Sequence, residues 1–181
     1  IANPNCSTIQ SVVPLKVLQD AYGLKRVAYT TYQAVSGSGM KGKKDLAEGV
    51  NGKAPEAYPH PIYNNVLPHI DVFLENGYTK EEQKMIDETR KILNAPDLKV
   101  TATCARLPVQ DSHSVEIDVT LDKETTAEDI KALFDQDDRV VLVDNPENNE
   151  YPMAINSTNK DEVFVGRIRR DDSLENTFHV W

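Results

Sequence analysis

Cys6, Arg106 and His113 are the residues whose chemistry is most specific in this chain of 181 residues. A thiol supplies a nucleophile, an imidazole exchanges protons near neutral pH, and a guanidinium grips a carboxylate through two parallel hydrogen bonds. Cys6 follows an extended segment that ends at Pro4. After it, Ile9, Val12, Val13, Leu15, Val17, Leu18 and Ala21 recur at helical spacing, with Pro14 as the discordant residue. The thiol is therefore expected in the first turn of a helix. There, unpaired N–H groups and the positive dipole end favour a thiolate, and a free-cysteine pKa of about 8.5 is expected to fall by about a unit or more. Taken alone, Cys6 would read as a small buried hydrophobe, as most free cysteines are. Arg106 and His113 sharpen the reading, because they flank a connection containing Pro108 at the ends of two expected strands. That geometry aims both side chains at one pocket. Cys104 alternates with apolar neighbours on the first of these strands and is expected in the core.

The elements that must hold these groups are legible in outline. Leu24 to Val35 is rich in Val, Tyr and Thr and predicts a strand that delivers Gln33 and then Ser36-Gly37-Ser38-Gly39. That glycine loop lacks the spacing of a dinucleotide fingerprint or a phosphate loop. Residues 41–60 are polar, with Gly42, Gly49, Gly52, Pro55 and Pro59, and read as a mobile loop. Thr79 caps the clearest helix, with Glu82 as its capping-box partner; Met85, Ile86, Thr89, Ile92 and Leu93 form its apolar stripe, and Asn94-Ala95-Pro96 ends it. Glu81, Lys84, Glu88 and Lys91 line another face, a row that by itself reads as solvated and salt-bridged. Strands are expected at Lys99–Leu107, Ser114–Leu121, Arg139–Val143, Val163–Arg169 and Thr177–Trp181, and a short helix capped by Thr126 at Ala127–Phe134. Strands outnumber helices and connections are short, which predicts an α+β domain over residues 1–181, with a mostly antiparallel mixed sheet and helices on one face.

Composition narrows the function classes. With 20 Lys+Arg against 29 Asp+Glu, the net charge of −9 disfavours a nucleic acid or an anionic membrane as partner, and Lys41, Lys43 and Lys44 form only a weak basic cluster. Two distant cysteines, and His60 and His69 beside prolines without ligand-spaced partners, give no metal-site pattern. Neither a run of about 18 apolar residues nor a basic-then-apolar leader is visible, so a cytoplasmic setting is expected. The chain opens on Ile rather than Met, close to its most specific motif, and closes inside an expected strand; it reads as a fragment or excised domain.

Four ordered motifs carry a resemblance. Ala2-Asn3-Pro4-Asn5-Cys6-Ser7-Thr8, Tyr32-Gln33-Ala34-Val35-Ser36-Gly37, Arg106-Leu107-Pro108-Val109 followed by His113-Ser114, and Phe164-Val165-Gly166-Arg167-Ile168-Arg169 resemble the bacterial aspartate-β-semialdehyde dehydrogenases over nearly the whole chain. The resemblance covers that family's catalytic and dimerisation half, and implies a fold like the C-terminal domain of glyceraldehyde-3-phosphate dehydrogenase. It implies an oxidoreductase that converts L-aspartyl-4-phosphate to L-aspartate 4-semialdehyde and phosphate with NADPH, in the biosynthesis of lysine, threonine, methionine and diaminopimelate. It further implies Cys6 as the nucleophile that forms a thioester and His113 as the general acid/base. Gln33 is implied to orient the substrate, Arg106 to bind its α-carboxylate, Glu81 to face its ammonium and Lys84 to contact phosphate. Ser36 and Gly37 would lie beside the nicotinamide end of NADP. A homodimer or dimer of dimers without a metal completes the expectation. The family's dinucleotide-binding domain and closing segment are not in this sequence, and the stretch between Met40 and Tyr58 is shorter than the family's. Turnover is therefore expected to need the NADP-binding domain, and a non-catalytic dimerisation module is the alternative for the isolated chain. An N-acetylglutamyl-phosphate reductase-like enzyme shares the thiol logic. A cysteine hydrolase built on Cys6 and His113 would be told apart by ester or amide turnover without nicotinamide.

Overall fold

In the computed structural model, which describes residues 2–181, the Cys6 segment is a helix start; Ile1, the first residue of the expected domain, lies outside the described residues. Helix α1 (Cys6–Tyr22) begins at Cys6 because the Asn5 side chain accepts from the main-chain N–H groups of Ser7 at 2.9 Å and Thr8 at 3.1 Å. Two of the otherwise unpaired donors of the first turn are satisfied this way. The first half of α1 buries the small residues Ser7, Thr8 and Ser11, the second half Leu15, Val17 and Leu18. Pro14 sits inside the helix as a buried residue, so its packing offsets the missing N–H. Then follow β1 (Leu24–Gln33), α2 (Gly39–Gly49), α3 (Lys80–Ile92), β2 (Lys99–Arg106), β3 (Ser114–Leu121), α4 (Ala127–Asp135), β4 (Val140–Leu142), α5 (Ala154–Ser157), β5 (Val163–Val165), β6 (Arg169–Arg170) and β7 (Thr177–Val180).

Five strands form one sheet in the order β2-β1-β3-β7-β6, in which only β1–β2 is parallel. Strict alternation along β3 sends Val115, Ile117, Val119 and Leu121 to one face, where they meet Val27 and Tyr29 of β1, Ala102 and Cys104 of β2, and Phe178 of β7. Leu15 and Leu18 of α1, Met85 of α3, and Ile130 and Phe134 of α4 close that core. Fully burying a side chain of this size contributes roughly 1.5–3 kcal/mol, so this one layer supplies most of the driving force. The Tyr29 hydroxyl is satisfied inside it by Thr89 Oγ1 at 2.9 Å. The expected α+β sheet with helices on one face is what the chain forms.

Helix α3 starts with the expected capping box, Thr79 and Glu82 each receiving the other's main-chain N–H. Glu82 also accepts from the N–H of Cys104 at 2.9 Å, which ties the edge strand β2 to the helix. Its stripe is Met85, Ile86, Thr89 and Leu93; Ile92, expected in that stripe, is 46% exposed.

Three expectations are corrected. Residues 35–38 form a single 3₁₀ turn and residues 39–49 a helix, where a glycine loop and the start of a mobile loop were expected. The strand expected over 163–169 is split: β5 pairs in parallel with β4, in a sheet of its own. Gly166 then exchanges both main-chain bonds with Trp181 at 2.9 Å, Arg167 turns the chain with a φ of 50°, and β6 joins β7. The strand expected over 139–143 shrinks to Val140–Leu142, the length in register with β5, with one further bond from Val143 N–H to Val165 O at 2.8 Å.

Candidate active site

The site lies where β1 and β2 end and β3 begins. The parallel register sets Gln33 abreast of Arg106, and the antiparallel register sets Tyr32 abreast of Ser114, the residue after His113. The chains leaving these strands stay together: Leu107 N–H donates to Gln33 O at 2.9 Å, and Val35 N–H to Val109 O at 2.8 Å. Residues more than 70 positions apart in sequence are thus brought to one sheet end, and the start of α1 is laid against it.

Cys6 Sγ lies 3.2 Å from His113 Nε2. On its other side the imidazole accepts from the Ala34 main-chain N–H, 3.0 Å from Nδ1. An acceptor at Nδ1 fixes the neutral ring as the Nε2–H tautomer, which donates toward the sulfur. Arg106 is 5% exposed; Nη1 donates to Ala34 O at 2.7 Å, while the buried Nε has no partner. Glu81, 6% exposed, accepts at Oε1 from Gln33 Nε2 at 3.1 Å and from Asn5 Nδ2 at 2.7 Å. Gln33 is fully buried, and its Oε1 has no partner. A buried unpaired donor and a buried unpaired acceptor on register neighbours at one sheet end suit a small molecule bearing groups of both kinds.

Lys84 sits at the rim, 3.1 Å from Asp71 Oδ2 and 4.0 Å from Glu81 Oε2. The charged row of α3 is therefore not simply solvated: Glu81 turns inward, whereas Lys91 stays exposed. Ser36 enters through its main-chain N–H, which donates to Gln110 O at 3.1 Å. Cys104 is buried, as expected, and His69 stacks on Phe73 at 4.3 Å. Asn5 escaped the sequence reading although it is the hub of the helix start; an asparagine directly before a helix is the signal that would have found it. A cleft of about 390 Å³ opens beside His113, lined by Ile9, Gln10, Met153, Phe164 and Trp181 among others.

Gly37 lies over the pair. A Cβ there would stand 2.7 Å from Arg106 Nη1 and 3.3 Å from His113 Nε2. Gly37→Ala should therefore push the guanidinium off Ala34 O. The expected result is a loss of roughly ten- to a hundredfold in kcat/KM, with little change in Tm, because the residue is exposed; steady-state kinetics beside thermal melting check it.

The electrostatics correct the expectation for the thiol. Burial and the Glu81 carboxylate push the Cys6 pKa above its ordinary value near 9, against the N–H groups of the helix start and Arg106, which pull it down. Although solvent reaches the residue, the protein packed behind it weakens the hydration of a thiolate. Burial and Arg106 together lower the His113 pKa to about 4, and the Ala34 N–H opposes a second ring proton. The resting pair is thus a neutral thiol and a neutral imidazole. Alkylation of Cys6 by iodoacetamide should accordingly keep rising with pH through the ordinary thiol range. Peptide mass spectrometry separates it from Cys104, whose thiol burial pushes up to about 12. A plateau below about pH 8 would mean that the helix start dominates.

Residues 15–181 match the family model described as semialdehyde dehydrogenase, dimerisation domain. Over its whole length the chain is 50% identical to the aspartate-semialdehyde dehydrogenase of Aquifex aeolicus and covers 55% of that protein. It superposes with a TM-score of 0.93 on aspartate semialdehyde dehydrogenase II from Vibrio cholerae complexed with ASA, at 40% identity, covering all of this chain and 55% of that one. The aspartate semialdehyde dehydrogenase from Candida albicans, solved with NADP, matches at TM-score 0.73 and 26% identity over 99% of this chain and 51% of that one. The chain spans about half the length of the curated relatives it matches.

Proposed function

The chain belongs to the semialdehyde dehydrogenase dimerisation-domain family, and from that premise we propose that it is the thiol-bearing half of an NADP-dependent aspartate-semialdehyde dehydrogenase. The carrying observation is the 3.2 Å contact between Cys6 and His113, at the sheet end that also holds Arg106, Glu81 and Gln33. In this reading the sulfur attacks the β-acyl carbon of aspartyl phosphate, the C–S bond forms and the C–O bond to phosphate breaks, leaving a thioester on Cys6. Arg106 binds the α-carboxylate with its unpaired donor, and Glu81 and Gln33 Oε1 face the ammonium. Two opposed charges fix the amino-acid end and leave the β-carbon at the thiol. Lys84, released from Asp71, meets the departing phosphate.

His113 is the acid/base group, and its geometry adds a constraint. Starting from the neutral thiol, attack needs Nε2 to take the Cys6 proton, which it then presents to the tetrahedral oxygen. Taking up a proton at Nε2 requires the ring to give up the Ala34 N–H. NADPH, when bound, supplies the hydride that reduces the thioester. Gly37, whose missing side chain lets the main chain pass close to Arg106 and His113, is with Ser36 the place assigned to the nicotinamide end. The ASA complex and the NADP-bound relative support the same substrate and cofactor here.

The assembly in this reading is a homodimer, supported by the family description and by the half-buried outer face of the sheet, which carries Ala28, Thr30 and Tyr32 beside the pairs Arg26–Asp118 at 2.6 Å and His179–Glu116 at 2.7 Å. A cytoplasmic setting fits two free thiols; among the described residues no helix is long and apolar enough to cross a membrane. The test is NADP reduction by the intact protein with aspartate semialdehyde. Strict dependence on inorganic phosphate is expected, whereas ester or amide turnover without nicotinamide would replace the reading with a hydrolase.

A further inference from the structure

Helix α3 carries two carboxylates two turns apart, Glu81 and Glu88, and both end on Asn5. Glu81 Oε1 accepts from Asn5 Nδ2 and Glu88 Oε2 accepts from the Asn5 main-chain N–H, each at 2.7 Å. Asn5 Oδ1 meanwhile caps α1, and its carbonyl accepts from Ile9 N–H at 2.9 Å. Every polar group of Asn5 is therefore engaged. The Asn5 N–H stands ahead of the helix and has no place in its hydrogen-bond ladder, so its bond to a half-buried carboxylate on another helix is a specific anchor. Such charge-assisted bonds are among the stronger ones in a protein.

We infer that Glu88 is a positioning residue for the thiol: it fastens the main chain immediately ahead of Cys6 to the helix that bears Glu81 and Lys84. Nucleophile and substrate-orienting groups then share one rigid support, and the sulfur is held at its distance from His113. The inference rests on the reading of Cys6 and His113 as the reacting pair. Its mechanical part, the fastening itself, stands apart from that reading.

The test compares Glu88→Ala, Glu88→Met and Glu88→Gln in the intact protein by amide hydrogen exchange over residues 5–9 and by Cys6 alkylation with iodoacetamide, the latter with and without His113→Ala. Glu88→Ala and Glu88→Met should each speed exchange in that segment roughly tenfold and make Cys6 alkylation indifferent to His113→Ala. Glu88→Gln, which keeps an oxygen acceptor, should restore most of both. Wild-type exchange with an undiminished response to His113→Ala in a folded Glu88→Ala protein overturns the inference, and Glu88→Met decides it if the alanine variant does not fold. If alkylation of the protein with Glu88 intact ignores His113→Ala, the thiol–imidazole reading falls. Exchange alone then shows whether Glu88 fastens the segment, and unchanged exchange overturns that too.

Discussion

Cys6→Ser is expected to lower phosphate-dependent NADP reduction by about four orders of magnitude or more, while the protein stays folded. The size of the effect follows from the chemistry assigned to the residue. A hydroxyl ionises several units above a thiol, and burial together with Glu81 already raises the barrier to a charged nucleophile at this position. An oxygen ester would also accept hydride less readily than a thioester. Folding should be nearly unaffected, by roughly 0.5 kcal/mol or less, because Cys6 is exposed at the first position of α1 and Asn5, not Cys6, supplies the cap. Rates with semialdehyde, phosphate and NADP, read beside the melting curve, make the comparison. A serine protein that keeps more than about a tenth of the turnover would move the covalent step to another group and remove the ground for the proposed mechanism.

What the sequence revealed here was what obeys local rules. The capping box at Thr79 and Glu82, the strict alternation from Val115 to Leu121 and the Thr126 cap each involve residues within a few positions of one another, and each is present. Helix α2 was hidden because its glycines look like loop residues. Gly42 is there for close packing: a Cβ would meet Val35 O at 2.5 Å and the Tyr58 hydroxyl at 2.6 Å. Ile92 has the right spacing for the buried stripe, but at the end of α3 it is left 46% exposed. The thiol–imidazole contact joins residues 107 positions apart and depends on the registers of β1 with β2 and β3. Spacing alone could not have measured it; the ordered motifs were needed to pair the two residues.

The same limit explains the thiol's ionisation. The helix start that stabilises a thiolate is visible in the sequence around Cys6, whereas the burial and the Glu81 carboxylate that oppose it arrive from α3, through tertiary packing. Charge spacing hid the inward turn of Glu81, because a row of alternating charges on a helix is usually solvated; only the resemblance set this residue at the substrate.

Arg106→Lys is expected to raise the KM for aspartate semialdehyde about a hundredfold, with a smaller fall in kcat and an unchanged requirement for phosphate. The substitution keeps a positive charge near His113 and Cys6, so the electrostatic pull of Arg106 on both groups largely survives. What it removes is geometry. The guanidinium uses Nη1 to hold Ala34 O at 2.7 Å and keeps a buried, unpaired Nε to offer a ligand. A lysine ammonium is a point donor that cannot hold the carbonyl and meet a carboxylate in a fork at once. Losing one partner of a buried charged contact costs about 2–5 kcal/mol, and the retained charge offsets part of that, which leaves roughly the hundredfold expected. Because the loss is in binding the amino-acid end, it should fall on KM more than on the chemical step. Parallel falls in kcat and kcat/KM with KM unchanged would place Arg106 at the reacting carbon instead. Unaltered kinetics would reduce it to a buttress for Ala34 O, and the α-carboxylate would then need another anchor.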